Sequence, residues 1–244
     1  MSPKGIRFSV GGRTDTGQYR QANEDHLFID LVLGLFLVFD GGGSWSDEPS
    51  RVGPQSCPII QRIIREGFNE TDPRLLIKQA FQTADSHLKI PNGQGFSDGG
   101  SVALAFLREG SVHISWLGDA MVHHVSGGEI EPLTWPHNIA NVMQRMGRLT
   151  EEVQERVKGY SQILCYCLGG GELPDPFEVV TFTPKPGDRL VLTTDGVHDV
   201  LGGSQFIGAC QTHTEPQACA NHLIELARER GSRDNCTCVV IAFE

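Results

Sequence analysis

Phe36-Leu37-Val38-Phe39-Asp40-Gly41 is an apolar segment that runs straight into an acid and a glycine, and Leu190-Val191-Leu192-Thr193-Thr194-Asp195-Gly196 repeats the design far along the chain. Neither alternates apolar with polar, as a strand with one wet face would; both read as strands buried on two sides. Working outward from the first, residues 27–30 and 33–39 form strands around Gly34. A helix follows over 55–68, with Ile59, Ile60, Ile63, Ile64 and Phe68 on one side. The next helix opens on Asp72 as cap and Pro73 at its first position, with Leu76, Ala80, Phe81, Ala84 and Leu88 as its stripe. Residues 91–100 are a polar glycine-rich loop, and strands are predicted over 101–107, 112–117 and 121–125. Weakly amphipathic helices over 138–146 and 150–157 form a flap across the sheet. Strands resume at 163–167, 179–182 and 190–194. Helices follow over 204–210 and 215–230, the second opened by a capping box of Thr214 with Gln217. Residues 236–243 close the chain as an apolar strand. Strands in runs and helices in runs argue for an α+β layered fold. A single domain over residues 1–244, with the flap at about 134–162, is the simplest reading.

Composition bounds the function. The chain has 244 residues, 39% of them hydrophobic, enough for one core without disulfide or metal staples. Its formal charge of -10 excludes nonspecific nucleic-acid binding and adhesion to an anionic membrane. The longest apolar run, residues 31–39, is far short of the ~20 residues a membrane helix needs. The first ten residues lack the apolar core of a signal peptide, so a cytoplasmic protein is expected. The seven cysteines (Cys57, Cys165, Cys167, Cys210, Cys219, Cys236 and Cys238) read as reduced structural thiols without C-x-x-C spacing. The nine histidines show no H-x-x-x-H pair, and adjacent His123 and His124 point to opposite faces of their strand. His198 lies inside the Asp195 segment, while Trp45 and Trp135 read as packing residues near the cleft.

Asp-Gly is the commonest hairpin signal, and Asp98-Gly99 is read as that. An acid at the end of a buried strand differs, because its carboxylate must be paired, protonated or metal-bound. Two more acidic sites precede strands: Asn23-Glu24-Asp25, and Arg233-Asp234-Asn235. Each alone reads as a cap or a solvated loop. Four such strand-edge sites with almost no lysine nearby suggest a carboxylate cluster. Oxygen ligands select hard cations, Mg²⁺ or Mn²⁺, which would reverse the sign of the local field for an anionic substrate.

The ordered set Arg20-x-x-Asn23-Glu24-Asp25, Asp40-Gly41-Gly42-Gly43, Gly118-Asp119, Thr194-Asp195-Gly196-x-x-Asp199 and Asp234-Asn235 resembles the metal-dependent protein phosphatase family, type 2C, in its short bacterial form. Trp135-Pro136-His137-Asn138, Leu168-Gly169-Gly170 and Pro186-Gly187-Asp188-Arg189-Leu190 add to the likeness, which spans residues 13–243. The resemblance implies a four-layer α-β-β-α sandwich, two antiparallel sheets flanked by helix pairs, with two metals at one end. It implies that Asp40 bridges the metals and that the Gly41 carbonyl reaches the second. Asp195 and Asp234 would complete the first metal's shell. Glu24 and Asp25 would hold metal-bound waters, and Arg20 would grip the substrate phosphate. Asp119 and Asp199 match a weaker third metal site. The implied activity is hydrolysis of phosphoserine and phosphothreonine by a metal-bridged hydroxide. The implied partner is a phosphorylated protein substrate, acted on by a monomer that opposes a Ser/Thr kinase.

The sequence also departs from the family pattern. Gly42 stands where His or Met is frequent, so no side chain there can protonate a leaving group. Ser44 replaces a frequent glycine, Gly99-Gly100-Ser101 a common Gly-Thr-Thr, and Ala120-Met121 a common Ser-Arg. These departures leave two alternatives open: a degenerate phosphatase-like module that binds phosphoproteins, or a phosphatase of a small phosphate ester.

Overall fold

Alternate residues of strand β3 (Leu35–Gly42) enter two different cores, and this parity builds the layers. Leu35, Leu37 and Phe39 are fully buried with Ile60 and Ile64 of helix α1 (Val52–Gly67) and Leu76 and Phe81 of helix α2 (Pro73–Leu88). Phe36 and Val38 pack instead with Val122, Leu192 and Ile241, between the two sheets. Each such side chain contributes roughly 1.5–3 kcal/mol by leaving water. A computed structural model describes residues 7–42, 49–69, 71–88, 99–157, 163–170 and 173–244.

One five-stranded sheet has the order β2 (His26–Asp30), β3, β4 (Gly99–Arg108), β5 (Ser111–Leu117), β8 (Val180–Phe182). The other has the order β1 (Phe8–Asp15), β10 (Cys236–Phe243), β9 (Arg189–Thr193), β6 (Met121–Ser126), β7 (Glu129–Pro132). All neighbouring pairs are antiparallel. A third core joins Val191, Cys238 and Val240 to Phe206 of α6 (Gly203–Thr212) and to Leu223 and Ile224 of α7 (Pro216–Glu229). The result is the expected helix, sheet, sheet, helix stack. The flap helices α3 (Ile139–Arg145) and α4 (Glu151–Val157) bury no residue. The described cysteines are all free, and among the described residues no helix is long and apolar enough to cross a membrane.

Several local expectations are corrected. Strand β1 was not read from the sequence, because its Gly11-Gly12 and polar positions leave it only partly buried at a sheet edge. Strand β7, short and exposed, was missed for a similar reason. The strand expected over 163–167 is reduced to one isolated bridge, Leu164 with Asn138 at the base of the flap; a second, Leu168 with Gly100, lies just beyond it. Helix α1 begins at Val52 rather than at 55.

The capping box of Thr214 and Gln217 does not form. Glu215 caps α7 without a side-chain bond, and Pro216 follows it. Gln217 turns to edge strand β1 instead: its Oε1 accepts from the Gly12 N–H (3.2 Å) and its Nε2 donates to the Gly12 carbonyl (3.0 Å). An edge strand has unpaired backbone groups to offer, and they win over the helix's own N–H groups. Asp98 and Trp45 lie outside the described residues.

Candidate active site

Antiparallel pairing puts the ends of distant strands side by side. In one sheet the start of β2 meets the end of β3 (His26 opposite Phe39), and Asp40 stands opposite Ser101 at the start of β4. The end of β5 pairs with the same stretch of β4 (Leu117 opposite Val102), which brings in the Gly118-Asp119 turn. In the other sheet Thr193, at the end of β9, lies opposite both Cys238 and Met121, at the starts of β10 and β6. Asp25, Asp40, Asp119, Asp195 and Asp234 therefore gather at one end of the sandwich.

Asp195 does not sit in a hairpin turn. It is the first residue of a short helix, α5 (Asp195–His198), with Thr194 extended before it. Gly196 is required there, because a Cβ would collide with the Asn235 carbonyl oxygen. Gly17, at φ +76°, meets the Asp234 carbonyl in the same way, so two loops close over the Asp234-Asn235 turn.

The carboxylates titrate above their ordinary range because they are buried together. Burial pushes Asp40 well up, and the charges of Asp25, Asp195 and Asp119 push it further. Asp25, buried, is raised to about 7 despite hydroxyl bonds from Thr194 and Thr237, with Asp195 and Asp234 adding repulsion. Asp195 is raised to about 6, by burial first and then by Asp119 and Asp234, while a hydrogen bond donated by Asp40 eases it. Burial raises Asp119, and burial followed by the Asp119 charge raises Asp199. These are the shifts of like charges crowded into low dielectric.

Other oxygens are already engaged. Asp234 accepts from Arg20 Nη2 through Oδ2 (2.6 Å) and from the Asn235 N–H through Oδ1 (2.8 Å). Arg20, half-exposed, also lies near the charges of Glu24 and Asp195. Glu24 Oε1 accepts from the Ser50 N–H (2.6 Å). Thr194 Oγ1 donates to Asp25 Oδ2 (2.8 Å). Among the described residues, no three acids, histidines or cysteines are posed around one ion. A cation here would compete with Arg20 for Asp234 and would favour the ionised forms of Asp25, Asp40 and Asp195 over the protonated forms that burial favours. The donor set suits that exchange: all oxygen, mostly carboxylate, and short of countercharge, which fits hard divalent cations.

The sequence motifs contain Asn235 and Thr194 but give neither a part in posing these acids, and Thr237 is in none of them. Asn235 clamps the loop before β2: its Nδ2 donates to the Thr16 and Ala22 carbonyls, and its Oδ1 accepts from the Glu24 N–H. Thr194 and Thr237 form the floor under Asp25, with the Thr237 N–H donating to Thr194 Oγ1 (3.1 Å). Polar residues at the ends of otherwise apolar strands were the available signal. Cys236 is buried, its thiol raised by burial and donating to the Gly196 carbonyl (3.3 Å), so it presents no nucleophile.

The base of the flap touches the Asp119 turn. The Gly118 N–H donates to His137 Nδ1 (3.3 Å), and the His137 N–H donates to the Gly118 carbonyl (2.8 Å). His137 stacks on Trp116, whose Nε1 donates to the Trp135 carbonyl (2.6 Å). Trp135 thus packs at the flap hinge, as expected. A Cβ at Gly42 would meet nothing within 4 Å, so that position faces open space.

With this geometry in hand, comparison with known proteins is direct. The family profile for Protein phosphatase 2C matches residues 18–227. The probable protein phosphatase 2C member 13, mitochondrial, of Oryza sativa is 27% identical over 87% of this chain and 60% of its own length. Human protein phosphatase 1F is 27% identical over 84% of this chain and 48% of its own length. The chain thus spans about half to three-fifths of these two relatives. A putative protein phosphatase 2C-type protein of Streptococcus pyogenes, 23% identical, is covered over 96% of its length. Among solved structures, the PPM Ser-Thr phosphatase MsPP from Mycobacterium smegmatis superposes with TM-score 0.74 at 25% identity, covering 99% of each chain. The Mycobacterium tuberculosis phosphatase PstP superposes with TM-score 0.78 at 20% identity, over 97% of this chain and 98% of that one. A profile match across most of the chain and a shared fold agree with the acids gathered at the strand ends: this chain belongs to the protein phosphatase 2C family.

Proposed function

We propose that the protein is a Mg²⁺- or Mn²⁺-dependent phosphatase that hydrolyses phosphoserine and phosphothreonine in proteins. The observation that carries this reading is the gathering of Asp25, Asp40, Asp119, Asp195 and Asp234 at one end of the sandwich, where strand pairing brings them together and burial with mutual repulsion raises Asp25, Asp40 and Asp195. One solved structure of the same fold, the PstP catalytic domain, is a complex with two manganese ions. Asp40, Asp195, Asp234 and the Gly41 carbonyl are the groups that would hold two cations here. Glu24 and Asp25 would hold water beside them, and Asp119 with Asp199 would serve a third. Bound cations of this kind supply Lewis acidity at the phosphoryl group and activation of the attacking water.

The chain's own residues do the rest. Arg20, once free of Asp234, has its guanidinium fork open for the phosphate oxygens. Asn235, Thr194 and Thr237 keep the carboxylates in place, so little reorganisation accompanies reaction. Gly42 offers no proton, so the departing seryl or threonyl oxygen takes its proton from solvent in the open cleft. Such substrates are made by Ser/Thr kinases, which we place as its opposing partners. Free thiols are in keeping with a reducing cytoplasm, where we read the enzyme as a single-domain monomer.

The test is phosphate release from a phosphothreonine peptide. Wild type with Mn²⁺ should turn over, chelator should abolish it, and Asp40→Asn should lose at least about a hundredfold. A wild type that shows no metal-dependent release would refute the proposal.

A further inference from the structure

We propose that Arg233 forms a second anion subsite in the cleft, which reads an acidic group that the substrate carries beside its phosphorylated residue; this rests on the phosphatase reading above. The cleft that opens from the carboxylates has a volume of about 480 Å³ and is lined by Arg20, Asp195, Asp199, Arg233 and Asp234 among others. Its two guanidiniums are in different states. Arg20 is tied to Asp234 at 2.6 Å. Arg233 forms no ion pair among the described residues, although it is next to Asp234 in the chain. Its guanidinium stands over the ring of Tyr19, 5.9 Å from the centroid, and Tyr19 is itself 62% exposed. An aromatic face orients a guanidinium without neutralising it or using its N–H fork.

The backbone that presents Arg233 is rigid on both sides. Helix α7 ends in a glycine turn, Gly231 at φ +83°, with the Gly231 N–H donating to the Arg228 carbonyl and the Ser232 N–H to the Ala227 carbonyl, both at 3.0 Å. Ser232 and Asn235 are buried, so the exposed Arg233 is held between two anchors rather than on a loose loop. The position also suits the electrostatics. A chain of net charge -10 repels acidic peptides at long range, so a peptide with an acid near its phosphate needs a local cation besides Arg20. An extended peptide advances about 3.3–3.6 Å per residue, so an acid within roughly three positions of the phosphorylated residue falls within reach of an arginine at the cleft wall.

The experiment compares three phosphothreonine peptides in Mn²⁺: one with neutral flanks, one with glutamates at the flanking positions, and one with a second phosphate there. Wild type should favour at least one acidic peptide over the neutral one by about three- to tenfold in kcat/KM, carried by KM and shrinking as salt rises. Arg233→Gln should bring that ratio close to one, and Arg233→Lys should keep part of it. Equal kcat/KM for all three peptides in wild type would overturn the proposal. So would a ratio that survives in Arg233→Gln, including a case where the substitution slows every peptide alike. Turnover of p-nitrophenyl phosphate by wild type separates the two readings, because its absence counts against the phosphatase assignment. In that event the same peptide ratio is read as Kd by fluorescence anisotropy, with the same two outcomes.

Discussion

At the scale of single residues, the site is a competition for carboxylate oxygens. Asp234 gives one oxygen to Arg20 and the other to the Asn235 N–H, and Asp40 donates a hydrogen bond to Asp195. A bound cation would compete with Arg20 for the charge of Asp234. Arg20→Ala removes both a competitor and a positive charge, so Mn²⁺ should bind about three- to tenfold more tightly by calorimetry while KM for phosphopeptide rises. Weaker Mn²⁺ binding in that variant would show that Arg20 supports the metal pocket instead. Sequence reading named these acids and Arg20, because residue type and order are local facts. It could not show that Arg20 would be found on Asp234.

At the scale of elements, the join between β9 and α5 depends on a close approach. Gly196→Ala forces a Cβ against the Asn235 carbonyl, so it should cost at least about 2 kcal/mol and shift the turn that holds Asp234. Urea unfolding measures the first effect and Mn²⁺ titration the second; an unchanged midpoint would mean the two loops can separate freely. The start of α7 provides a paired comparison. Gln217→Ala should cost about 1 kcal/mol through its lost bonds to Gly12, while Thr214→Ala should be near neutral in the same measurement. The reverse order would restore the capping box. That motif was legible as a pattern and wrong as a structure, because a neighbouring edge strand offered Gln217 better partners. Strand β1 escaped reading for the related reason that its glycines carry no hydrophobic signal.

At the scale of the whole molecule, the crowded acids make stability depend on pH and metal together. Asp25 at about 7, Asp195 at about 6 and Asp40 well above its ordinary range all bind protons more tightly folded than unfolded. Their contribution is therefore fully present below pH ~4 and is lost as pH rises through about 6–7. In chelator, this contribution should fall by several kcal/mol between pH 4 and pH 8. Mn²⁺ should restore stability most at the higher pH, because binding requires the same protons to leave. Chemical unfolding at both pH values, with and without Mn²⁺, measures this. A chelated protein with Mn²⁺-independent stability that rises over that interval would mean the acids are not crowded in solution.

The sequence by itself determined the layers and the inventory of the site. Apolar strands such as 35–39 declare burial on both faces through their own composition, and an acid placed after each one is visible without knowing where it goes. Only the tertiary structure decided which strand ends stand together, that Asn235, Thr194 and Thr237 hold the acids there, and that Arg233 stands over Tyr19 with no ion pair among the described residues. Periodicity acts over a few residues, whereas ion pairing depends on distances between residues far apart in the chain, as in the bond between Arg20 and Asp234, 214 positions apart. Such distances exist only once the sheets have paired.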